Sequence, residues 1–302
     1  MDRIADRPMM ERGQDTGHGL TGRAVAANLG DRRPDIRVSA LYHYPIKSCG
    51  GTRVESMEVV ETGPLHDREL MVVDAETGTF LTQRDSPPLA LVAPTITGDY
   101  VYVTAPGMPP LEARLRAEGT HRTAAIWTDR VESVDQGDEV AAWFSAFLRL
   151  NVRVVRKATG VVRGVDPAYA TSATDQVGFA DGFPFLLLSD ESLTHLNQRL
   201  AEPLPMDRFR PNIVIAGCAV PHHEDTLGRF AIGDLTLSAV KPCARCKITT
   251  VDQRTAQVGK EPLRTLATYR RSPNGGVIFG INLIHHAAGR LSVGDRVVVP
   301  DG

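Results

Sequence analysis

From Ile36 onward the chain is cut into short runs of alternating polarity separated by tight turns, and this pattern most constrains its fold. Val38, Ala40, Tyr42 and Tyr44 alternate with Arg37, Ser39, Leu41 and His43 until Pro45 ends the run, which is the period of a strand. Leu70-Met71-Val72-Val73 and Phe80-Leu81-Thr82 flank Glu76-Thr77-Gly78, and residues 95–97 and 100–104 flank Gly98-Asp99. Both read as hairpins. Further strands are predicted at 212–216, 235–240, 247–251, 277–284 and 296–299. Two helices interrupt them. After Asp138, Val140, Trp143, Phe144, Phe147 and Leu148 fall at helical spacing; Ser189 reads as an N-cap before Asp190, Glu191 and the stripe Leu193, Leu196, Leu200, which Pro203 ends. A short helix is predicted with Pro262 at its first position. No parallel βαβ alternation is visible. A mainly β (α+β) chain of barrel or sandwich type is therefore expected rather than a doubly wound fold.

A chain of 302 residues builds one large domain or two smaller ones. Residues 158–174 are irregular, so the expected division is a disordered tail over 1–35, a β-barrel-like part over 36–155 and a second β part over 156–302. A short helix around 20–29 is the alternative for the tail. Charge is nearly balanced, 34 Lys and Arg against 36 Asp and Glu, which gives no support for a nucleic-acid partner. Four cysteines are too few for a disulfide scaffold and fit a reducing compartment. The N-terminus has no apolar signal core, and no stretch approaches the roughly 18 apolar residues of a membrane span. A cytoplasmic protein without membrane contact is expected.

Two of the four cysteines lie in Lys241-Pro242-Cys243-Ala244-Arg245-Cys246-Lys247, among cations that favour the thiolate, a soft metal ligand. The local pattern leaves several chemistries open. A structural zinc needs four ligands, and only His222-His223 and His285-His286 stand by as nitrogen donors. A thioredoxin-like pair wants a helix starting at the first cysteine, whereas the β-branched run after Cys246 predicts a strand. Iron–sulfur ligation would require Cys49 and Cys218 to converge here. Two ordinary buried thiols is the bland reading.

Other polar clusters narrow the choice. Lys47-Ser48-Cys49-Gly50-Gly51 ends a strand with a cation, a hydroxyl and glycines that let backbone N–H groups approach an anion, without the spacing of a nucleotide-hydrolase phosphate loop. His66-Asp67-Arg68 precedes one hairpin strand and Thr82-Gln83-Arg84 closes the other, so the two arginines are expected near each other. Arg208-Phe209-Arg210-Pro211-Asn212 offers guanidinium forks for phosphate and an amide for a heterocycle edge. The shared reading is a phosphate-bearing heterocyclic cofactor beside a thiolate.

These motifs occur in order with Thr249-Thr250-Val251-Asp252, Glu261-Pro262-Leu263, Phe279-Gly280-Ile281-Asn282 and Val293-Gly294-Asp295. Over residues 38–299 the chain resembles the MOSC (molybdenum cofactor sulfurase C-terminal) proteins with their N-terminal β-barrel domain. Within them it is similar to the mitochondrial amidoxime-reducing components and their bacterial relatives. The resemblance implies a molybdenum cofactor (Mo-molybdopterin) whose metal takes one protein thiolate, that of Cys246, with Cys243 a neighbour and Asp252 a second candidate catalytic residue. Lys47, Ser48, Arg68, Arg210 and Asn212 match residues that hold the phosphate and pterin, as do Asp181 and Gly182 in another segment; Asn282 stands where some relatives have tyrosine. The implied activity is reduction of small N-hydroxylated substrates by oxygen-atom transfer. Without a C-x4-C-x2-C segment or a pyridoxal-phosphate desulfurase domain, electrons are expected from a separate flavin or iron–sulfur reductase, and pyridoxal phosphate binding is not expected. A sulfur or cofactor carrier without reductase activity is the alternative, and a β-barrel interaction module the bland reading.

Overall fold

The computed structural model describes residues 35–273 and 275–300. All of the predicted tail except Asp35 lies outside the described residues, as does the alternative helix around 20–29. The architecture is mainly β, with eighteen strands and three α-helices among the described residues. The largest sheet runs, in spatial order, Val297–Val298, Arg229–Ile232, Leu235–Ala244, Ile278–His285, Phe185–Ser189, Ile213–Ala216, Arg37–His43 and Thr52–Val54. A four-stranded antiparallel sheet orders Leu70–Asp74, Val152–Lys157, Asp129–Asp135 and His121–Ile126. Two three-stranded sheets complete the set: Gly289–Ser292 with Ser56–Val60 and Gly63–Pro64, and Ala93–Thr97 with Tyr100–Thr104 and Leu111–Arg114.

Strand periodicity explains the large sheet. Phe185 and Leu187, Ile213 and Ile215, and Ile281 and Leu283 enter one buried cluster, whereas Leu186, Leu188, Val214 and Phe279 enter another on the opposite face. Both faces are covered, so these strands read as continuous apolar runs. In the four-stranded sheet, Leu70, Val72, Val152 and Val154 meet Val140, Trp143 and Phe144 of α1 (Asp138–Leu148), while Met71, Val73 and Val155 pack on Phe179. Ser189 caps α2 (Asp190–Asn197) as predicted, its Oγ accepting from Ser192 N at 3.1 Å.

Three local expectations are corrected. The run 247–251 is not a strand: Lys247–Thr250 forms a 3-10 turn with Cys246 as its N-cap. Thr249 Oγ1 and Thr250 Oγ1 donate to the carbonyls of Cys246 and Lys247, at 3.0 and 2.8 Å, and this local bonding replaces a ladder despite the β-branching. One βαβ unit does exist, because Phe185–Ser189, α2 and Ile213–Ala216 form a crossover between parallel neighbours with Leu187 opposite Ile213. A single crossover leaves no alternation to detect. Pro262 is the N-cap of α3 (Leu263–Leu266) rather than its first helical residue.

Strand order also links the two halves of the chain. Arg37–His43 lies between Ile213–Ala216 and Thr52–Val54, so the first described strand sits inside a sheet drawn mostly from residues beyond 185. The described residues form one compact unit.

Candidate functional site

Turns together with residues of the strands Phe185–Ser189, Leu235–Ala244 and Ile278–His285 line a cleft of about 420 Å³. Its lining includes Lys47, Ser48, Arg68, Asp181, Gly182, Arg210, Asn212, Asn282 and Cys246, nine of the ten candidate residues. The exception is Asp252. Its Oδ1 accepts from Arg254 N and Thr255 N, both at 2.9 Å, and its Oδ2 lies 3.4 Å from Arg208 Nη1. Arg208 in turn donates through Nε to Thr249 O at 3.1 Å, so Asp252 braces the turn that follows Cys246.

The backbone brings the lining together. Lys47 N donates to Leu70 O, Arg68 N to Tyr44 O and Phe179 N to Arg68 O, which ties three loops into one wall. Ser48, Arg68 and Arg210 hold φ values of 67°, 47° and 57°, in the left-handed region that costs a non-glycine residue on the order of 1 kcal/mol. Three such residues facing one cleft mark a place where side-chain position outweighs local comfort. The guanidinium groups of Arg68 and Arg210 each lie 4.3 Å from the centroid of the buried Tyr44 ring. A Cβ at Gly51 would fall 2.2 Å from that ring, so glycine is required there.

Asn212 serves this wall rather than presenting a free amide. Its Oδ1 accepts from Arg68 Nη1 at 3.1 Å and Leu186 N at 3.2 Å; its Nδ2 donates to Tyr42 O at 3.2 Å and Asp67 Oδ1 at 3.1 Å. All four hydrogen-bonding positions of the amide are used within the protein. Arg210 Nη1 donates to Cys49 O at 2.6 Å, and Asn282 Nδ2 to Lys241 O at 3.1 Å.

Electrostatically the cleft is cationic. Lys47, Arg68, Arg84, Arg210, Lys241 and Arg245 line it, against Asp166 and Asp181. Lys47 is buried, donates to Phe179 O at 2.8 Å and pairs with Asp181. Desolvation works to raise the Asp181 carboxyl, but the Lys47 charge and hydrogen bond, then Arg84 and Trp127, hold it well below the usual carboxylate range. Arg245 donates through Nη2 to Phe209 O at 2.6 Å and through Nη1 to Cys243 Sγ at 2.9 Å, while its buried Nε has no protein partner. Arg84 Nη2 lies 3.2 Å from Cys246 Sγ. Each thiol of the pair thus has its own guanidinium.

The competing cysteine chemistries find no geometry. Cys49 and Cys218 lie in separate buried clusters, and burial pushes both thiols up to about 12. His222 packs against His195 and Tyr269, and His285 Nε2 lies 2.7 Å from Val60 O. Among the described residues no group of three or more His, Cys, Asp or Glu could hold a metal ion. Sequence reasoning set Arg84 near Arg68 but left Arg84, Lys241 and Arg245 off the site. Lys241 precedes the two cysteines and Arg245 lies between them, and both were legible as part of a cationic run. Trp127, which touches Arg84 and Asp181 from a hairpin turn, carried no signal.

Comparison with known proteins accords with this geometry. The MOSC N-terminal beta barrel domain profile matches residues 35–151 and the MOSC domain profile residues 174–298. Mitochondrial amidoxime reducing component 2 of Rattus norvegicus is 35% identical over 283 residues, covering 86% of this chain and 82% of that protein. Mitochondrial amidoxime-reducing component 1 of Homo sapiens is 33% identical over 277 residues, with the same coverage. Molybdenum cofactor sulfurase of Danio rerio is 30% identical over 287 residues, spanning 85% of this chain but 34% of that larger protein. A shared pair of domains and identity at this level over most of both chains leave one conclusion: the chain belongs to the MOSC family, in the group that contains the mitochondrial amidoxime-reducing components.

Proposed function

We propose that this protein is a molybdenum-cofactor-dependent oxidoreductase that reduces N-hydroxylated compounds, with the Cys246 thiolate as the protein's ligand to the metal. The observation that carries the reading is a thiol, Cys246, with Cys243 as its neighbour, in a cleft lined by six cations, with no group of three or more His, Cys, Asp or Glu among the described residues that could hold a metal by itself. A metal held by one thiolate must bring its other ligands with it, and a pterin dithiolene bearing a phosphate does so. The orphaned Arg245 Nε and the cationic excess fit an anionic group of that kind.

In this reading Lys47, Ser48, Arg68 and Arg210 hold the phosphate and pterin, with Gly182 and Asn282 along the same wall. Asn212 and Tyr44 keep the two guanidinium forks aimed, and Asp181 sets the position of Lys47. Asp252 positions the Cys246 turn through Arg208. When bound, the cofactor supplies two-electron oxygen-atom transfer. Overall, an N–OH group takes two electrons and two protons and leaves an N–H group and water. The electrons come from a separate flavin or iron–sulfur reductase. Relatives at 33 to 35% identity whose names state amidoxime reduction support this assignment.

The test is Cys246→Ala in cofactor-loaded protein, reading benzamidine from benzamidoxime, molybdenum content and far-ultraviolet circular dichroism. A folded, inactive variant with reduced molybdenum is expected. Turnover with normal metal content would remove Cys246 from the mechanism. The second reading, a sulfur or cofactor carrier, is favoured by the sulfurase relative and by a second thiol, Cys243, beside Arg245. A persulfide mass on Cys243 or Cys246 without reductase activity would select it.

A further inference from the structure

Trp127 is a large side chain that the proposed chemistry leaves unused. It occupies the two-residue turn, with Thr128, between the paired strands His121–Ile126 and Asp129–Asp135. Its φ is 52°, a conformation such turns normally assign to glycine or asparagine. The indole is also 50% exposed. Neither turn chemistry nor burial therefore accounts for a tryptophan here.

Yet the ring is held from three directions. Phe80 meets it edge-on with centroids 5.0 Å apart, the Arg84 guanidinium lies 4.8 Å from its centroid, and its Nε1 donates to Asp181 Oδ1 at 3.3 Å. Two of those partners, Arg84 and Asp181, line the cleft, and the same Arg84 reaches Cys246 Sγ at 3.2 Å. A single side chain thus joins the indole to the thiol. An aromatic plane held against two residues that line the cleft, with part of its surface free, is preorganised to receive another flat ring.

We propose that Trp127 is a specificity-determining residue whose exposed indole surface stacks on the planar π-body of an N-hydroxylated substrate, favouring aryl over small aliphatic compounds. This rests on the reductase reading above. The experiment compares kcat/KM for benzamidoxime and acetamidoxime in molybdenum-loaded wild-type, W127A and W127F proteins, with metal content measured on each. Intrinsic fluorescence is titrated in parallel. The chain has two tryptophans, and Trp143 is buried with its Nε1 on Pro109 O at 2.7 Å, so the difference between wild type and W127F reports position 127.

The preference for benzamidoxime is expected to fall about tenfold in W127A, through KM, and to be largely kept in W127F. Benzamidoxime should saturably quench the position-127 emission, and acetamidoxime should not. Equal loss on both substrates, no loss on either, or loss of molybdenum from W127A would overturn the proposal, the last by placing the indole on the cofactor. If wild-type protein reduces neither substrate, the reductase reading falls and quenching alone decides the subsite: saturable quenching keeps it, and none removes it.

Discussion

At the scale of single residues, the site is built by side chains that spend their bonds on one another. Asn212 aims Arg68, the Tyr44 ring holds the guanidiniums of both Arg68 and Arg210, and Gln83 donates to Ser48 O at 2.7 Å while pairing with Gln253. The motifs around Lys47, Arg68, Arg210 and Cys246 were legible because their chemistry is local: cations, glycines and thiols announce themselves. The task of Asn212 was not, since an amide that could read a heterocycle looks the same in sequence as one that braces an arginine. His222 belongs to the same class. Desolvation first, and then Arg270, lower its imidazole to about 4 against an ordinary 6.5. Because the folded value lies below the unfolded one, protonation favours unfolding. The contribution is intact above pH 6.5, declines as the pH falls through 6.5 to 4, and levels off below. His222→Phe should flatten the fall of urea-unfolding free energy over that window, removing at most about 1.4 kcal/mol per pH unit. An unchanged slope would place the acid sensitivity on other groups.

At the scale of elements, turn residues and caps were the readable part. Ser189 was identified as an N-cap, and its Oγ both accepts from Ser192 N and donates to Glu224 Oε2 at 2.8 Å, fully buried. Ser189→Ala should therefore cost about 1–2 kcal/mol by chemical denaturation, toward the upper end because Glu224 loses a partner as well. A cost below 0.5 kcal/mol, on the order of an exposed substitution, would mean that water replaces the hydroxyl. The residues after Cys246 show the opposite case. Their β-branching predicts a strand, but two threonine hydroxyls close back on their own backbone and make a turn instead. That turn makes Cys246 its N-cap, at the lining of the cleft.

At the scale of the whole molecule, strand order binds what sequence order separates. Arg37–His43 covers the flank of Ile213–Ala216, and Tyr42 N donates to Asn212 O at 2.9 Å beside the cleft. Residues 156–302 expressed alone should therefore expose an unpaired strand and aggregate, and co-expression with 35–155 should restore a soluble complex by size-exclusion chromatography. A monodisperse, folded 156–302 fragment would show that the first strand is dispensable. By itself the sequence determined a mainly β chain, the hairpin around Gly98-Asp99, its two longer helices and the polar motifs around Lys47, Arg68, Arg210 and Cys246, because these depend on periodicity and on residue chemistry within a few positions. Asp181, Gly182 and Asn282 entered through the family resemblance alone, and residues 80–82 meet their expected partner strand at the isolated Val73–Phe80 bridge. Tertiary structure alone decided that Asp252 braces rather than lines the cleft, that one parallel crossover lies inside the large sheet, and that Arg84 reaches both Cys246 and Trp127. Each of these is a contact between residues more than twenty positions apart, and no local pattern encodes which strand will lie beside which.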